Sequence, residues 1–428
     1  MRRIALVSLG CPKNLVDSEY ICQRILAAGY SLESDPGKAD TIVVNTCAFL
    51  TESVEESIQT LLGYLEERKE VVCTGCLVSR YGKELLEELP EVRLFAGPGT
   101  YDRLVRALES DAHYLAPEFA GVVRRSYATT GPSAYVKVSE GCSNKCSYCL
   151  IPSLRGELVS KPPRDIVDEC RDLAASGVKE IILVAQDLGG YGRDHEGYPP
   201  LCSLLKDISR IEDIQWIRFM YMHPASLDEP LVAAMRNNPK VVPYLDLPIQ
   251  HVSETVLKAM GRKGGADAVR KALGLLNDIY PDIWIRSTVM VGHPGEDEQA
   301  FGELEEFILK GHIDHLGVFA YSAEEGTRSA SLGKEVPQEV KNARRARIMA
   351  IQQDVSRRRL ASLVGEKIPV LVEGYHPETD FLLAGRASFQ APEVDGMVII
   401  TEGTPGFGTF SEIVITDTME YDLVGRIA

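Results

Sequence analysis

Over the first hundred residues, short β-branched runs alternate with stretches of helical period. Ile4 to Ser8, Thr41 to Asn45, Val71 to Thr74 and Arg93 to Ala96 have the apolar, β-branched make-up of strands. Between them, Ser18 to Ala28 and Ser53 to Arg68 repeat apolar residues at the spacing of an amphipathic helix. Strands separated by helices need crossover connections, so this part predicts a parallel α/β sheet, with ligands at the carboxyl ends of its strands. A loop region from Asp111 to Ser133 leads into a second α/β series. Its strands are Ala134 to Ser139, Glu180 to Ala185, Trp216 to Tyr221, Val242 to Leu247, Trp284 to Val291 and His315 to Tyr321. Each is followed by a polar or glycine-bearing loop and then a helical pattern. A complete barrel has eight such units, so six predict a partial (βα)6 barrel with its chemistry on the carboxyl-end loops. Val336 to Leu360 is a charged helix carrying Arg344, Arg345, Arg347, Arg357, Arg358 and Arg359. Ala361 to Ala428 alternates in short strands with glycine turns, as in a small antiparallel β-barrel. The expected division is therefore 1–118, 128–359 and 361–428.

Composition narrows the function. A chain of 428 residues exceeds one ordinary core. A formal charge of −16 argues against sequence-independent nucleic-acid binding by the whole surface and favours a basic partner. No apolar run approaches the roughly 20 residues of a membrane span, and the apolar stretch after Met1 is too brief for a signal peptide. The expectation is a cytoplasmic protein with no membrane association. In that compartment ten cysteines point to metal or redox chemistry rather than disulfides. Cys22, Cys170 and Cys202 lie inside helical patterns and read as small buried hydrophobes. Cys11, Cys47 and Cys76 follow the first three strands, which places three thiols on one sheet edge.

The most specific pattern is Cys142-Ser143-Asn144-Lys145-Cys146-Ser147-Tyr148-Cys149, a C-x3-C-x2-C run in the loop after the first barrel strand. A zinc site would need a fourth ligand, and no nearby Cys or His supplies one. Three thiolates on a four-iron cubane leave one iron open. That vacancy suits chelation of the amino and carboxylate groups of S-adenosylmethionine (SAM) and its one-electron cleavage. Tyr148 can pack against adenine or be a plain structural aromatic.

This run, with Tyr before the last Cys on a partial barrel, resembles that of radical SAM enzymes. The three-cysteine first domain and a terminal barrel of the TRAM kind make the whole chain similar to the methylthiotransferases among them. Ser8-Leu9-Gly10-Cys11-Pro12-Lys13-Asn14, Asn45-Thr46-Cys47, Thr74-Gly75-Cys76, Leu247-Pro248-Ile249-Gln250-His251, Met260-Gly261-Arg262-Lys263 and Val291-Gly292-His293-Pro294-Gly295-Glu296 carry the resemblance further. Pro12-Lys13-Asn14 resembles the branch that methylthiolates the β-carbon of an aspartate in small-subunit ribosomal protein S-twelve. The tRNA-modifying relatives tend to have Gln-Met-Asn there.

The resemblance implies two 4Fe-4S clusters. The barrel cluster, on Cys142, Cys146 and Cys149, yields a 5′-deoxyadenosyl radical that removes hydrogen from an unactivated C–H. The auxiliary cluster, on Cys11, Cys47 and Cys76, holds a sulfide that is methylated by a second SAM and passed to the substrate radical. An electron donor such as flavodoxin or ferredoxin is implied. The substrate protein can be taken free or on the ribosome, and tRNA is not the expected partner. No residue is needed as a conventional acid or base, so none is expected to be catalytic in that sense.

Around the rim, the resemblance places Gln186-Asp187 at the methionine amino group, and Arg286 can pair with its carboxylate; either residue can equally be satisfied within the barrel. Gly292 lies in a two-glycine turn expected to approach the adenosine closely. His251 and His293 read as loop or core histidines rather than catalysts. Cys73, where relatives carry an apolar residue, forms C-x2-C with Cys76. It can replace Cys76, pair with it or face the core, and Cys76 is the expected ligand.

The terminal barrel holds eleven acids and three bases from Ala361 onward, a net charge of −8. A module gripping phosphates should be basic, whereas an acidic one suits a basic ribosomal protein or merely aids solubility. The arginine-rich helix reads as a solvated face or an RNA contact, the former preferred. Three activities stay open: an aspartate methylthiotransferase, the same chemistry on tRNA adenosine, and a non-catalytic iron–sulfur redox or assembly protein.

Overall fold

The structure, a computed structural model, describes residues 2–110, 112–119, 125 and 131–428. Residue 128, where the second domain is expected to begin, lies outside them. The first sheet has strands β1 (Arg3–Ser8), β2 (Ser31–Leu32), β3 (Thr41–Thr46), β4 (Glu70–Gly75) and β5 (Leu94–Ala96), ordered β2-β1-β3-β4-β5 and all parallel. Central β3, Thr-Ile-Val-Val-Asn-Thr, is buried along its whole length, as a strand covered by helices on both faces must be. Residues Cys11, Cys47 and Cys76 follow β1, β3 and β4 on the carboxyl edge.

The middle of the chain has six parallel strands around an open barrel: β6 (Ser133–Lys137), then β9 (Glu180–Val184), β10 (Trp216–Phe219), β11 (Val241–Asp246), β12 (Trp284–Val291) and β13 (His315–Ala320). A short ribbon, β7 (Ser139–Glu140) with β8 (Val159–Ser160), brackets the three-cysteine loop. The last five strands, β14 (Lys367–His376), β15 (Thr379–Ala387), β16 (Val398–Glu402), β17 (Phe410–Thr418) and β18 (Leu423–Ile427), close into a small barrel. Its pairs are antiparallel except β16 with β18, because β17 returns between them in sequence. Among the described residues no helix is long and apolar enough to cross a membrane.

The terminal barrel plugs the amino-terminal end of the partial barrel, opposite the cysteine loop. Trp284, the first residue of β12, stacks on Phe389 with ring centroids 4.0 Å apart, and Trp216, opening β10, meets Phe410 at 4.7 Å. Glu180, opening β9, is fully buried and bonded by Arg218 at 2.7 Å and by Arg386 of the terminal barrel at 2.5 Å. Burial alone would raise the Glu180 carboxyl, but Arg218 and Arg386 outweigh it and pull its pKa down to about 2. A carboxylate depressed in the folded state stabilises above its unfolded pKa and loses that contribution as pH falls toward its folded one. Docking of the terminal barrel is therefore expected to weaken as pH drops from about 4.5 toward 2, with Trp284 and Trp216 fluorescence reporting it. An unchanged signal across that window would contradict this role for Glu180.

Two expectations sharpen here. The helix Gln338–Ala361 keeps Arg345, Arg347, Arg357, Arg358 and Arg359 exposed as a solvated face and packs by its other side. Arg344 is buried on Glu296 at 2.7 Å, Arg347 pairs with Glu305, and Arg359 pairs with Asp314 while covering Trp284. Asp395, counted with the acids of the terminal barrel, is also not an outward charge. Its side chain is 1% exposed and is bonded by Arg286 at 2.9 Å and Tyr244 at 2.7 Å.

Candidate active site

Two glycines close the first cysteine triad. A Cβ at Gly10 (φ +88°) would meet Cys47 Cβ at 2.7 Å and Sγ at 3.0 Å, and one at Gly75 (φ +100°) would meet the Thr46 carbonyl at 2.5 Å. Only residues without a side chain allow these strand ends so close. Cys11 caps the helix Pro12–Ala27, whose proline suits its first position, and Cys76 opens the helix Cys76–Glu88. Burial works to raise the Cys11 thiol, but Lys13 and Arg155 outweigh it and hold it below its usual range. At Cys76 burial wins, at about 11, against the opposing Arg155 guanidinium. Cys73 lies within β4, fully buried in the apolar layer of Ile42, Val44 and Val71, its thiol pushed up to about 12 by burial.

The second triad shares one pinned loop. The Cys142 N–H donates to Gly156 O at 3.1 Å, Ser147 N–H to Met260 O at 2.8 Å, and Asn144 Nδ2 to Asp187 at 2.8 Å. Ser329 Oγ bonds both Ser147 Oγ and His293 Nε2 at 2.8 Å. Arg262 Nη1 points at Cys146 Sγ, 3.7 Å away, a cation beside the sulfur it would stabilise as thiolate. Among the described residues no three His, Cys, Asp or Glu side chains converge tightly enough to chelate one metal ion. A cubane asks for something else, three thiolates each on a different iron, and two sets of three soft donors fit that group.

A buried polar network joins the triads. Arg155 ends the short helix Ile151–Arg155 that follows Cys149. Its Nε lies 3.3 Å from Cys76 Sγ, its Nη1 bonds Asp17 at 2.8 Å and Glu140 at 3.0 Å, and its Nη2 bonds Asn14 at 2.9 Å. Lys137 bridges the same two carboxylates, and Tyr101 donates to Asp17 at 2.6 Å. Two cations and two carboxylates balance out of water.

The four rim residues fare differently. Tyr148 packs partly buried beside the pinned loop, edge-on to His293 with centroids 6.5 Å apart. Gln186 donates from Nε2 to Glu140 at 2.6 Å and leaves its buried Oε1 without a partner. Of the two readings open for Arg286, the geometry is that of a residue satisfied within the fold: it lies near the start of β12, five residues before the rim, and its guanidinium is held by Asp395 of the terminal barrel. The reason for Gly292 also changes, since a Cβ there would strike Lys341 Cγ at 2.3 Å, and its N–H is held by Glu296 at 2.8 Å. The close approach the structure shows is to the long helix. His251 and His293 are fully buried, with His293 held neutral by burial at about 4.

Comparison with known proteins follows the same three parts. Residues 3–97 match the model of the Uncharacterized protein family UPF0004, 136–308 the Radical SAM superfamily and 364–428 the TRAM domain. The chain is 42% identical to a "Ribosomal protein uS12 methylthiotransferase RimO" of Geobacter sulfurreducens over 99% of this chain and 98% of that one. It is 41% identical to the protein of that name from Aquifex aeolicus over 99% and 97%. The chain belongs to the RimO family of ribosomal protein uS12 methylthiotransferases. Beyond the family, the radical SAM methyltransferase TsrM of Kitasatospora setae shares the fold, with TM-score 0.57, 15% identity and 74% and 75% of the two chains covered. The cobalamin-dependent radical enzyme OxsB shares it at TM-score 0.51 and 11% identity, over 82% and 56%.

Sequence reasoning missed Asn14, Asp17, Lys137, Glu140 and Arg155 in this RimO-family chain. Charged residues ordinarily face water, and only their closeness to Cys11, Cys142 and Cys149 in sequence hints otherwise. Arg155→Met would leave Asp17 and Glu140 with a single cation, Lys137. Breaking a buried ion network from one side costs about 3–5 kcal/mol, so the denaturation midpoint should fall markedly. Adding Asp17→Asn to that variant should recover part of the loss, and equal midpoints for parent and Arg155→Met would refute the network's structural role.

Proposed function

We propose that the chain replaces a β-hydrogen of an aspartate in ribosomal protein uS12 by a methylthio group, with one 4Fe-4S cluster on Cys142, Cys146 and Cys149 and a second on Cys11, Cys47 and Cys76. The observation that carries the reading is that Arg155, ending the helix that follows the barrel triad, reaches Cys76 of the other triad at 3.3 Å from within one buried, charge-balanced network. When bound, the two clusters supply one-electron cleavage of SAM on the barrel side and the sulfur to be methylated on the other.

The residues around them bind and orient. Gln186 Oε1, buried and unpartnered, is the acceptor available to the amino group of SAM. Tyr148 offers an apolar face beside the loop for adenine. Arg155, through Asn14, Asp17 and Glu140, ties the helix after the barrel triad to the first domain and so holds the two halves of the site in one orientation. The reductant, flavodoxin or ferredoxin in kind, would deliver its electron to the barrel side.

The acidic terminal barrel favours uS12 over tRNA as the captured partner, because phosphates would be repelled. Of the helix arginines, Arg344 is buried on Glu296, and Arg347, Arg357 and Arg359 each pair with a carboxylate, which lowers the net positive charge that face offers an RNA. Changing the exposed Glu378, Asp380, Glu402 and Glu412 to Lys should slow association with uS12 and remove most of its salt dependence. Association kinetics at several ionic strengths test this. Unchanged capture by the Lys variant, or methylthiolation of tRNA by the parent, would move the assignment to the RNA branch.

A further inference from the structure

The helix Pro12–Ala27 buries a lysine that makes no close ion pair with a carboxylate. Lys13 is 9% exposed, and its Nζ sits over the Tyr221 ring, 3.3 Å from the centroid. Arg80, Arg125, Lys137 and Arg155 also join the first domain to the barrel, and each holds a carboxylate, respectively Glu324, Glu19, Asp17 and Asp17. Among the described residues Lys13 has none within ion-pair distance. The nearby acid, Asp246, stays beyond ion-pair distance of Lys13: its Oδ2 accepts the Tyr221 N–H at 3.0 Å, and its Oδ1 faces Arg286 Nε at 3.9 Å without a hydrogen bond.

Position makes this cation informative. Lys13 stands two residues beyond Cys11, and its neighbour Asn14 is tied to Leu9, Asn45 and Thr46 at the carboxyl edge of the first sheet. Tyr221 follows β10 on the carboxyl-end rim of the barrel, held at φ +64°, a left-handed conformation that a bulky residue adopts only when its surroundings enforce it. The ammonium therefore lies where the carboxyl edge of the first sheet meets the carboxyl-end rim of the barrel, the two edges that carry the triads. A buried cation with one face on an aromatic ring and its other donors unused is poised for an anion.

We propose that the Lys13 ammonium receives the side-chain carboxylate of the substrate aspartate and thereby selects a carboxylate-bearing substrate. This rests on the reading of uS12 as substrate. A nucleobase offers no carboxylate for this ammonium to grip. The carboxylate neighbours the β-carbon, so gripping it also fixes which hydrogen is presented.

The test uses the reconstituted full chain and two forms of uS12, one natural and one with the modified aspartate, located by mass spectrometry, changed to asparagine. The parent should bind the natural form roughly ten- to hundredfold more tightly, the span of a charge-assisted hydrogen bond. Lys13→Met should bind both forms alike, Lys13→Arg should restore part of the preference, and Lys13→Gln should follow the Met variant. The melting temperature of Lys13→Met should not fall, because a buried charge without a close ion pair has been removed. A retained preference in Lys13→Met, an equal loss against both forms, or weaker binding of SAM itself would overturn the proposal. A parent that fails to modify uS12 would sink both readings, whereas a parent that modifies it while Lys13→Met keeps the preference would sink this one alone.

Discussion

Exchanging Cys142, Cys146 and Cys149 together for Ala should abolish reductive cleavage of SAM. Iron in the anaerobically reconstituted chain should drop from about eight atoms to about four. No other thiol can take over, because the loop carries no further cysteine and is pinned by Ser147, Ser329 and His293. The contacts that hold the loop use neighbouring side chains and backbone, so the variant should still fold. Arg262 would lose the sulfur it faces and keep its bond to the Pro248 carbonyl. Formation of 5′-deoxyadenosine by the triple variant at more than a trace would show that the radical site lies elsewhere.

The mirror-image exchange, Cys11, Cys47 and Cys76 to Ala, should give a different failure. SAM cleavage should continue, because the barrel triad and the unpartnered Gln186 Oε1 are untouched. Methylthiolated uS12 should not appear. The network complicates one point in a measurable way. Arg155 loses Cys76 as a neighbour but keeps Asp17, Glu140 and Asn14, so the domains should stay docked and stability should change by less than in Arg155→Met. Abolished cleavage with an intact barrel cluster would break the division of labour between the triads. Cys73→Ala is the control: buried in β4 with its thiol at about 12, it should leave the iron count unchanged.

The elements visible in the sequence were those whose pattern comes from burial alone. Strand positions in both α/β series are close to those read from apolar runs, with ends shifted by a residue or two, as for β3 and β5. The cysteine sets were legible because thiols in turns after strands have few bland explanations. Arg286 shows where such reading stops. Its place on the fifth barrel strand was legible, but its depth and partner were not, because nothing in the strand announces that a distant barrel plugs the far end with Asp395. The first turns of the helix Pro12–Ala27 were also lost, since Lys13, Asn14, Asp17, Ser18 and Glu19 look like a solvated face and are buried against the barrel. Helical period finds apolar stripes; a polar stripe buried by a partner domain carries the opposite signature.

Mass spectrometry of uS12 after incubation with the reconstituted chain, SAM and a low-potential reductant tests the central claim most directly. The account predicts one added methylthio group on the β-carbon of a single aspartate, absent from both triple-cysteine variants. An unmodified uS12 beside a methylthiolated tRNA adenosine in the same reaction mixture would contradict it.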